Sequence, residues 1–233
     1  MQMLSNIKKE LRTFRDPGKA MILSSFFKTG RGQYGEGDFF LGISVPEQRR
    51  LAKKYINLQL IDIRELLKNK IHEYRLTSLL ILVEKYNKGS QTIKQEIFDF
   101  YLSNLKYVNN WDLVDLTADK IVGSYLFDRD KSILYELSKS QNVWERRISV
   151  IATFHFIKNN QFDDTLRISE MLLNDKHDLI HKAVGWMLRE IGKRNQEVEE
   201  DFLKKHHKKM PRTMLRYAIE RFDEKNREFY LKK

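Results

Sequence analysis

Apolar side chains recur along this chain at intervals of three and four, the spacing that lines one face of an α-helix. Residues 75–86 (RLTSLLILVEKY) show the pattern most densely, and 94–105, 143–157, 179–192 and 212–222 repeat it. Pro46, in VPEQRRLA, suits the first turn of a helix, where its missing N–H costs nothing. Asp130 and Asp178 are expected to act as N-caps. No convincing alternating strand appears. Residues 39–43 (FFLGI) are apolar but short and Gly-flanked, and are expected to form buried loop or helix lead-in.

Stacking the predicted helices reveals a repeat. Arg75, Trp111, Arg147, Lys182 and Arg216 align at intervals of 36, 36, 35 and 34 residues, each long enough for one helix–turn–helix unit. A regular two-helix period of this length predicts an all-α fold, a right-handed α-solenoid of HEAT-like helical repeats, with residues 1–233 as a single domain. Positions four apart on a helix share a face. The aligned residues therefore form a first column of four cations and one tryptophan. A second column, one turn on, holds Leu79, Asp115, Ile151, Trp186 and Glu220.

Composition gives this face a partner. Lys and Arg number 43 against 32 Asp and Glu, a net charge of +11, which favours a polyanion: nucleic acid first, an anionic membrane surface second. No apolar run approaches the ~20 residues of a membrane span. The N-terminal MQMLSNIKKE lacks the apolar core and cleavage site of a secretory signal. The absence of cysteine excludes disulfides, thiol nucleophiles and thiolate metal sites, and is compatible with a reducing, cytoplasmic setting. Arg and Lys in a row can track a phosphate backbone with strongly salt-dependent affinity, although ordinary solvated surface residues fit the same pattern.

The pair Trp111 and Asp115 is sharper. A carboxylate repels phosphate, so its presence one turn from an indole in a basic groove calls for a cation to stabilise. Cleavage of a glycosidic bond develops oxocarbenium character on the sugar, and an alkylated base is itself cationic. A carboxylate can stabilise that charge and deprotonate water, and indoles can hold cationic rings. The competing reading makes both tryptophans core residues and Asp115 an N-terminal helix charge that favours the dipole.

At these residues the chain resembles the HEAT-like-repeat alkylpurine DNA glycosylases of the AlkD family. The likeness rests on 39–53 (FFLGISVPEQRRLAK), 110–115 (NWDLVD) and 182–190 (KAVGWMLRE), with WERR at 144–147 between them. It implies excision of cationic alkylated purines such as 3-methyladenine and 7-methylguanine from double-stranded DNA, without deep base flipping. By motif, Asp115 would be the catalytic carboxylate, Trp111 and Trp186 aromatic walls around the lesion nucleotide, and Arg147 a phosphate ligand. Arg75, Arg146, Lys182, Arg189, Arg216 and Arg31 are the expected DNA-binding cations. Neither a metal nor a small-molecule cofactor is implied, and a nucleoid-associated monomer is expected.

Some members carry a second Trp where this chain has Asn110. The stretch 29–38 (TGRGQYGEGD) is longer than in compact members and reads as a connector or a phosphate-touching loop. It lacks the Gly-Lys-Ser/Thr ending of a P-loop. The basic run 204–209 (KKHHKK) reads as a solvated linker or added phosphate contacts. His177 and His181 faintly echo a zinc motif, but an Asp178 cap would place His177 outside the helix. A non-catalytic binder of damaged or branched DNA and a protein-interaction scaffold are the competing functions.

Overall fold

A computed structural model describes residues 2–232. These residues form two compact units, one through Thr117 and one from Ala118 onward. They are all-helical, and in place of any strand there is an isolated bridge between Phe39 and Ile71.

The first unit is built on one long helix. Helices α1 (Gln2–Thr13), α2 (Pro17–Phe26), α3 (Val45–Lys54) and α4 (Leu60–Leu67) precede α5 (His72–Lys88). Then come α6 (Gln91–Ser103) and α7 (Trp111–Asp115). Of the 17 residues of α5, 13 are buried. A helix covered on nearly all sides is a core element. It packs against α3, α4, α6 and α7. Pro46 lies in the first turn of α3, as its chemistry predicts, behind the Ser44 cap. By contrast, α2 buries none of its ten residues, and Met21, Ile22 and Phe26 are each at least 60% exposed.

Residues 39–43 are the expected lead-in rather than a strand. The backbone N–H groups of Leu41, Gly42 and Ile43 all donate to the Glu73 carboxylate, at 2.7–3.2 Å. Wrapping one carboxylate with consecutive amides requires a sharp turn. Gly42 supplies it with φ +86°, and a Cβ there would lie 2.1 Å from the Asp16 carbonyl oxygen.

The second unit begins with a π-turn at Asp119–Gly123, followed by α8 (Ser124–Leu126), α9 (Ser132–Ser138), α10 (Val143–Ala152) and α11 (Phe154–Lys158). It continues with α12 (Asp163–Met171), α13 (Asp178–Gly192), α14 (Gln196–His206), α15 (Arg212–Ala218) and α16 (Glu224–Leu231). Its centre is α13, whose buried Ile180, Ala183, Val184, Met187, Leu188 and Ile191 follow the helical period. It packs on α10, α12, α14 and α15. Arg147, Lys182 and Arg216 thus lie on α10, α13 and α15, helices that pack in series as the repeat register requires.

Two caps differ from expectation. His177 caps α13 by accepting the Leu179 N–H on Nδ1, which makes Asp178 the first helical residue. Asp130 accepts the Ser132 N–H from one position outside the cap of α9. The predicted helix over 143–157 is divided at Thr153, between α10 and α11.

Gly123 sits where the π-turn meets α10, and a Cβ would stand 2.0 Å from the Ala152 carbonyl oxygen. Backbone cannot yield as a flexible side chain can. Gly123→Ala is therefore expected to destabilise the protein by roughly 1–3 kcal/mol, read as a lower urea midpoint with an unchanged slope.

Candidate active site

Helix α7 is only five residues long, and Asn110 starts it. The Asn110 side chain accepts the Trp111 N–H at 2.8 Å and is fully buried, so the residue read as lacking a second aromatic wall serves as the N-cap. Trp111 and Asp115, one turn apart, are both half-buried and both line an apolar cavity of about 450 Å³. Apolar side chains of α2, together with Phe27, Phe40 and Leu76, supply other walls.

Asp115 is the last residue of α7, so the dipole reading of its charge does not hold: a carboxylate at a helix C-terminus gains nothing from the backbone. Nor is Trp111 simply core. One face of its indole stacks on Phe27, with centroids 4.9 Å apart and planes 14° apart. Behind it Phe27, Phe40 and His72 form a three-ring cluster, with centroids 5.0 Å (Phe27–Phe40), 4.5 Å (Phe40–His72) and 5.1 Å (Phe27–His72) apart.

His72 joins these rings to a buried charge cluster. Its Nε2 donates to Asp112 on α7 at 2.8 Å, and its Nδ1 donates to Asp38 at 3.1 Å. Arg75 also donates to Asp38, as does the Asn110 amide at 3.4 Å. Burial alone would lower the His72 pKa, but the charges and hydrogen bonds of Asp112 and Asp38 raise it to about 9. Burial likewise pushes Asp38 up, yet hydrogen bonds from His72 and Arg75 outweigh it and hold the carboxyl below its ordinary value. The cluster is thus two cations against two carboxylates, with no net charge.

This corrects the basic column at its first member. Arg75 is 5% exposed, and its charge is taken up by Asp38 rather than presented to a partner. Position 0 of the register falls on a face of α5 that the loop 29–38 covers through Asp38. The second column is corrected too: Leu79 and Ile151 are fully buried core.

In the second unit, Arg147 is also 5% exposed and donates to the Leu179 carbonyl. Arg146 is half-buried, with Asp175 at 2.6 Å and the carbonyls of Ser140 and Gln141 as further acceptors. Arg189 pairs with Glu220, the carboxylate predicted in the second column. Lys182 pairs with Asp178 at 2.8 Å but keeps 40% of its side chain exposed. Arg216 is exposed, as is Arg31 on the Gly-rich loop. Trp186 is half-buried, and its indole N–H donates to Glu190 at 3.1 Å, fixing the ring plane. Trp186 is therefore set by a buried carboxylate one turn beyond it, whereas Trp111 is set by Phe26 and Phe27.

Among the described residues no three His, Asp or Glu side chains are arranged to hold a metal ion. No helix among them is long and apolar enough to cross a membrane.

Sequence reasoning missed His72, Asp38, Asp112 and Phe27. The segment His72-Glu73-Tyr74-Arg75, three ionisable residues opening an otherwise apolar helix, was the available signal. Charges there need buried partners.

Two buried groups set a pH dependence. Glu199, 2% exposed with one carboxyl oxygen lacking a hydrogen-bond partner, is raised to about 8 by burial and then by Glu200. Both folded pKa values lie above their unfolded ones, so the stability they contribute is present at low pH and lost as pH rises. The window is 4.5 to 8 for Glu199 and 6.5 to 9 for His72, the latter worth roughly 3 kcal/mol. Urea midpoints should fall steadily from pH 5 to 9, and Glu199→Gln should flatten the earlier part of that fall.

The solved structures that match share this helical architecture. A predicted DNA alkylation repair enzyme from Enterococcus faecalis aligns with a TM-score of 0.70 at 18% identity, covering 90% of this chain and 97% of its own. AlkD2 from Streptococcus mutans aligns at 0.57 with 15% identity, covering 95% and 98%. The smu.31 protein of Streptococcus mutans UA159 aligns at 0.54 with 17% identity, covering 95% and 100%. No curated protein matches the chain. The profile of the DNA alkylation repair enzyme family matches residues 7–222, nearly the whole sequence. The chain belongs to that family.

Proposed function

We propose that the protein is a DNA glycosylase that hydrolyses the N-glycosidic bond of cationic alkylated purines, such as 3-methyladenine and 7-methylguanine, in double-stranded DNA. The observation that carries this reading is the placement of Asp115 and Trp111, one turn apart on α7, in the lining of an apolar cavity. As the bond between C1′ and the base nitrogen breaks, its electron pair neutralises the base and leaves positive charge on the sugar. The Asp115 carboxylate stabilises that charge, then takes the proton of the water that adds to C1′. The products are a free neutral base and an abasic site. Apolar walls lower the local dielectric and strengthen the carboxylate's pull.

A cationic leaving group needs no further activation, so neither a cofactor nor a deep base pocket is required. Trp111 supplies an aromatic edge to the nucleotide, and Trp186, held by Glu190, is proposed to do the same. Lys182, Arg216 and Arg31 are the cations exposed enough to meet phosphate. Arg147, Arg146 and Arg189 reach DNA only by exchanging the partners described above.

The test is chromatographic detection of free 7-methylguanine or 3-methyladenine after incubation with methylated duplex. Salt-sensitive DNA binding without release of either base would replace this reading with that of a non-catalytic DNA-binding protein.

A further inference from the structure

We propose that His72 is a positioning residue for the Trp111–Asp115 site, its imidazolium locking α7 in place by bridging Asp112 and Asp38. The inference rests on the glycosylase reading for its catalytic meaning, although the lock itself is a property of the free protein.

Two routes lead from His72 to the site. One is polar: Nε2 holds Asp112, the residue next to Trp111, and so fixes the start of a five-residue helix that has little stability of its own. The other is aromatic: the imidazole packs against both Phe40 and Phe27, and Phe27 stacks on Trp111. A cation packed against two such rings is attracted to their π-faces. Nδ1 reaches Asp38, which closes the Gly-rich loop, while Gly35 of that loop packs against the Phe27 carbonyl, where a Cβ would lie 2.3 Å away. Loop, ring cluster and α7 therefore meet at one side chain.

The lock needs the proton. An imidazolium has two N–H donors, one for each carboxylate; a neutral imidazole has one, so either Asp112 loses its bond or Nδ1 turns acceptor towards Arg75 Nη2, 3.3 Å away, and Asp38 loses its own. The charged groups facing His72 are Asp38 from the loop, Asp112 from α7, and Arg75 from its own helix, with Glu73 beside it bound to the backbone of 41–43. Deprotonation turns a neutral cluster into one with a net negative charge, buried beneath the Asp115 carboxylate's own helix. High pH should therefore loosen α7 and lower activity. The expected midpoint is near pH 9.

Two measurements test this. In the wild type, the rate of base release under single-turnover conditions should fall about tenfold or more across that midpoint. His72→Gln should be slower by a similar factor at pH 7 and should lack the alkaline limb. Identical pH profiles for the two proteins overturn the proposal, since a residue needed only for folding would not remove a titration.

The second measurement needs no activity. With Trp144→Phe and Trp186→Phe, Trp111 is the sole indole, and its emission should titrate near pH 9 through His72. Emission that is flat from pH 7 to 10, or that titrates unchanged in His72→Gln, overturns the lock. If His72→Gln fails to fold by circular dichroism, Asp112→Asn, which keeps the side chain's shape, takes its place. A wild type that releases no base yet shows the Trp111 titration refutes the glycosylase reading and leaves the lock standing.

Discussion

Asp115→Asn is expected to lower the single-turnover rate of alkylpurine release by roughly 10²–10⁴-fold, the range for loss of one charge-stabilising, proton-accepting group. Duplex affinity should change by no more than a few-fold and, by removing a phosphate-repelling charge, should rise. The structure supports a clean comparison. Asp115 is half-buried at the end of α7, where its charge contributes nothing to the helix, and the isosteric amide fits the same space. Circular dichroism should therefore match the wild type. Equal rates for the two proteins would remove Asp115 from the chemistry. A collapse in folding would place the carboxylate among the structural charges instead.

The second large effect concerns stability. Asp38→Ala deletes the carboxylate that accepts from His72, Arg75 and Asn110, leaving His72 with Asp112 and the buried Arg75 without its carboxylate. Breaking a buried charge cluster from one side costs about 3–5 kcal/mol, because the remaining charge has neither water nor partner. Equilibrium urea unfolding at pH 6.5 would show this as a large drop in midpoint. His72 would then lose one of the two anions that raise its pKa, and its titration should move downward. The cause can be separated from simple cavity formation. Adding His72→Gln to Asp38→Ala removes the surplus cation and should recover part of the loss, a coupling that a double-mutant cycle reads directly. Additive losses would mean that the cluster's charge balance is not what holds this region together.

The sequence announced the helices plainly wherever burial is one-sided. The amphipathic stripe of α13 runs as its periodicity requires, and Pro46 opens α3 behind a serine cap. The repeat register put Arg147, Lys182 and Arg216 on helices that pack in series. What it could not convey was depth. Arg75 and Arg147 occupy positions equivalent to Lys182, and a reader of periodicity treats all three as surface cations, since charged residues are rarely buried. Burial of Arg75 is decided by Asp38, 37 positions away at the end of a Gly-rich loop whose course no period describes. The proposed catalytic pair was picked out by motif spacing, whereas its surroundings were not: Phe27, Phe40, His72 and Asp112 become one assembly only in three dimensions. Asn110 illustrates the same limit. Read as a missing aromatic wall, it is a helix cap, a role that requires knowing where α7 begins.

The grip of Glu73 on residues 41–43 shapes which sequences this loop can tolerate. Because the donors are main-chain N–H groups, the carboxylate is blind to the identity of the side chains they belong to. Leu41 and Ile43 are therefore constrained by packing alone, and saturation mutagenesis should show both accepting other apolar residues of similar size. Two exceptions have separate causes: proline at either position would delete a donor from the cradle, and anything but glycine at 42 would strike the Asp16 carbonyl. Glu73 itself has no such freedom, since even aspartate falls one methylene short. A family sharing this lead-in can thus drift widely in lettering while one acid and one glycine persist, a signature recognisable in variant libraries before any activity is measured.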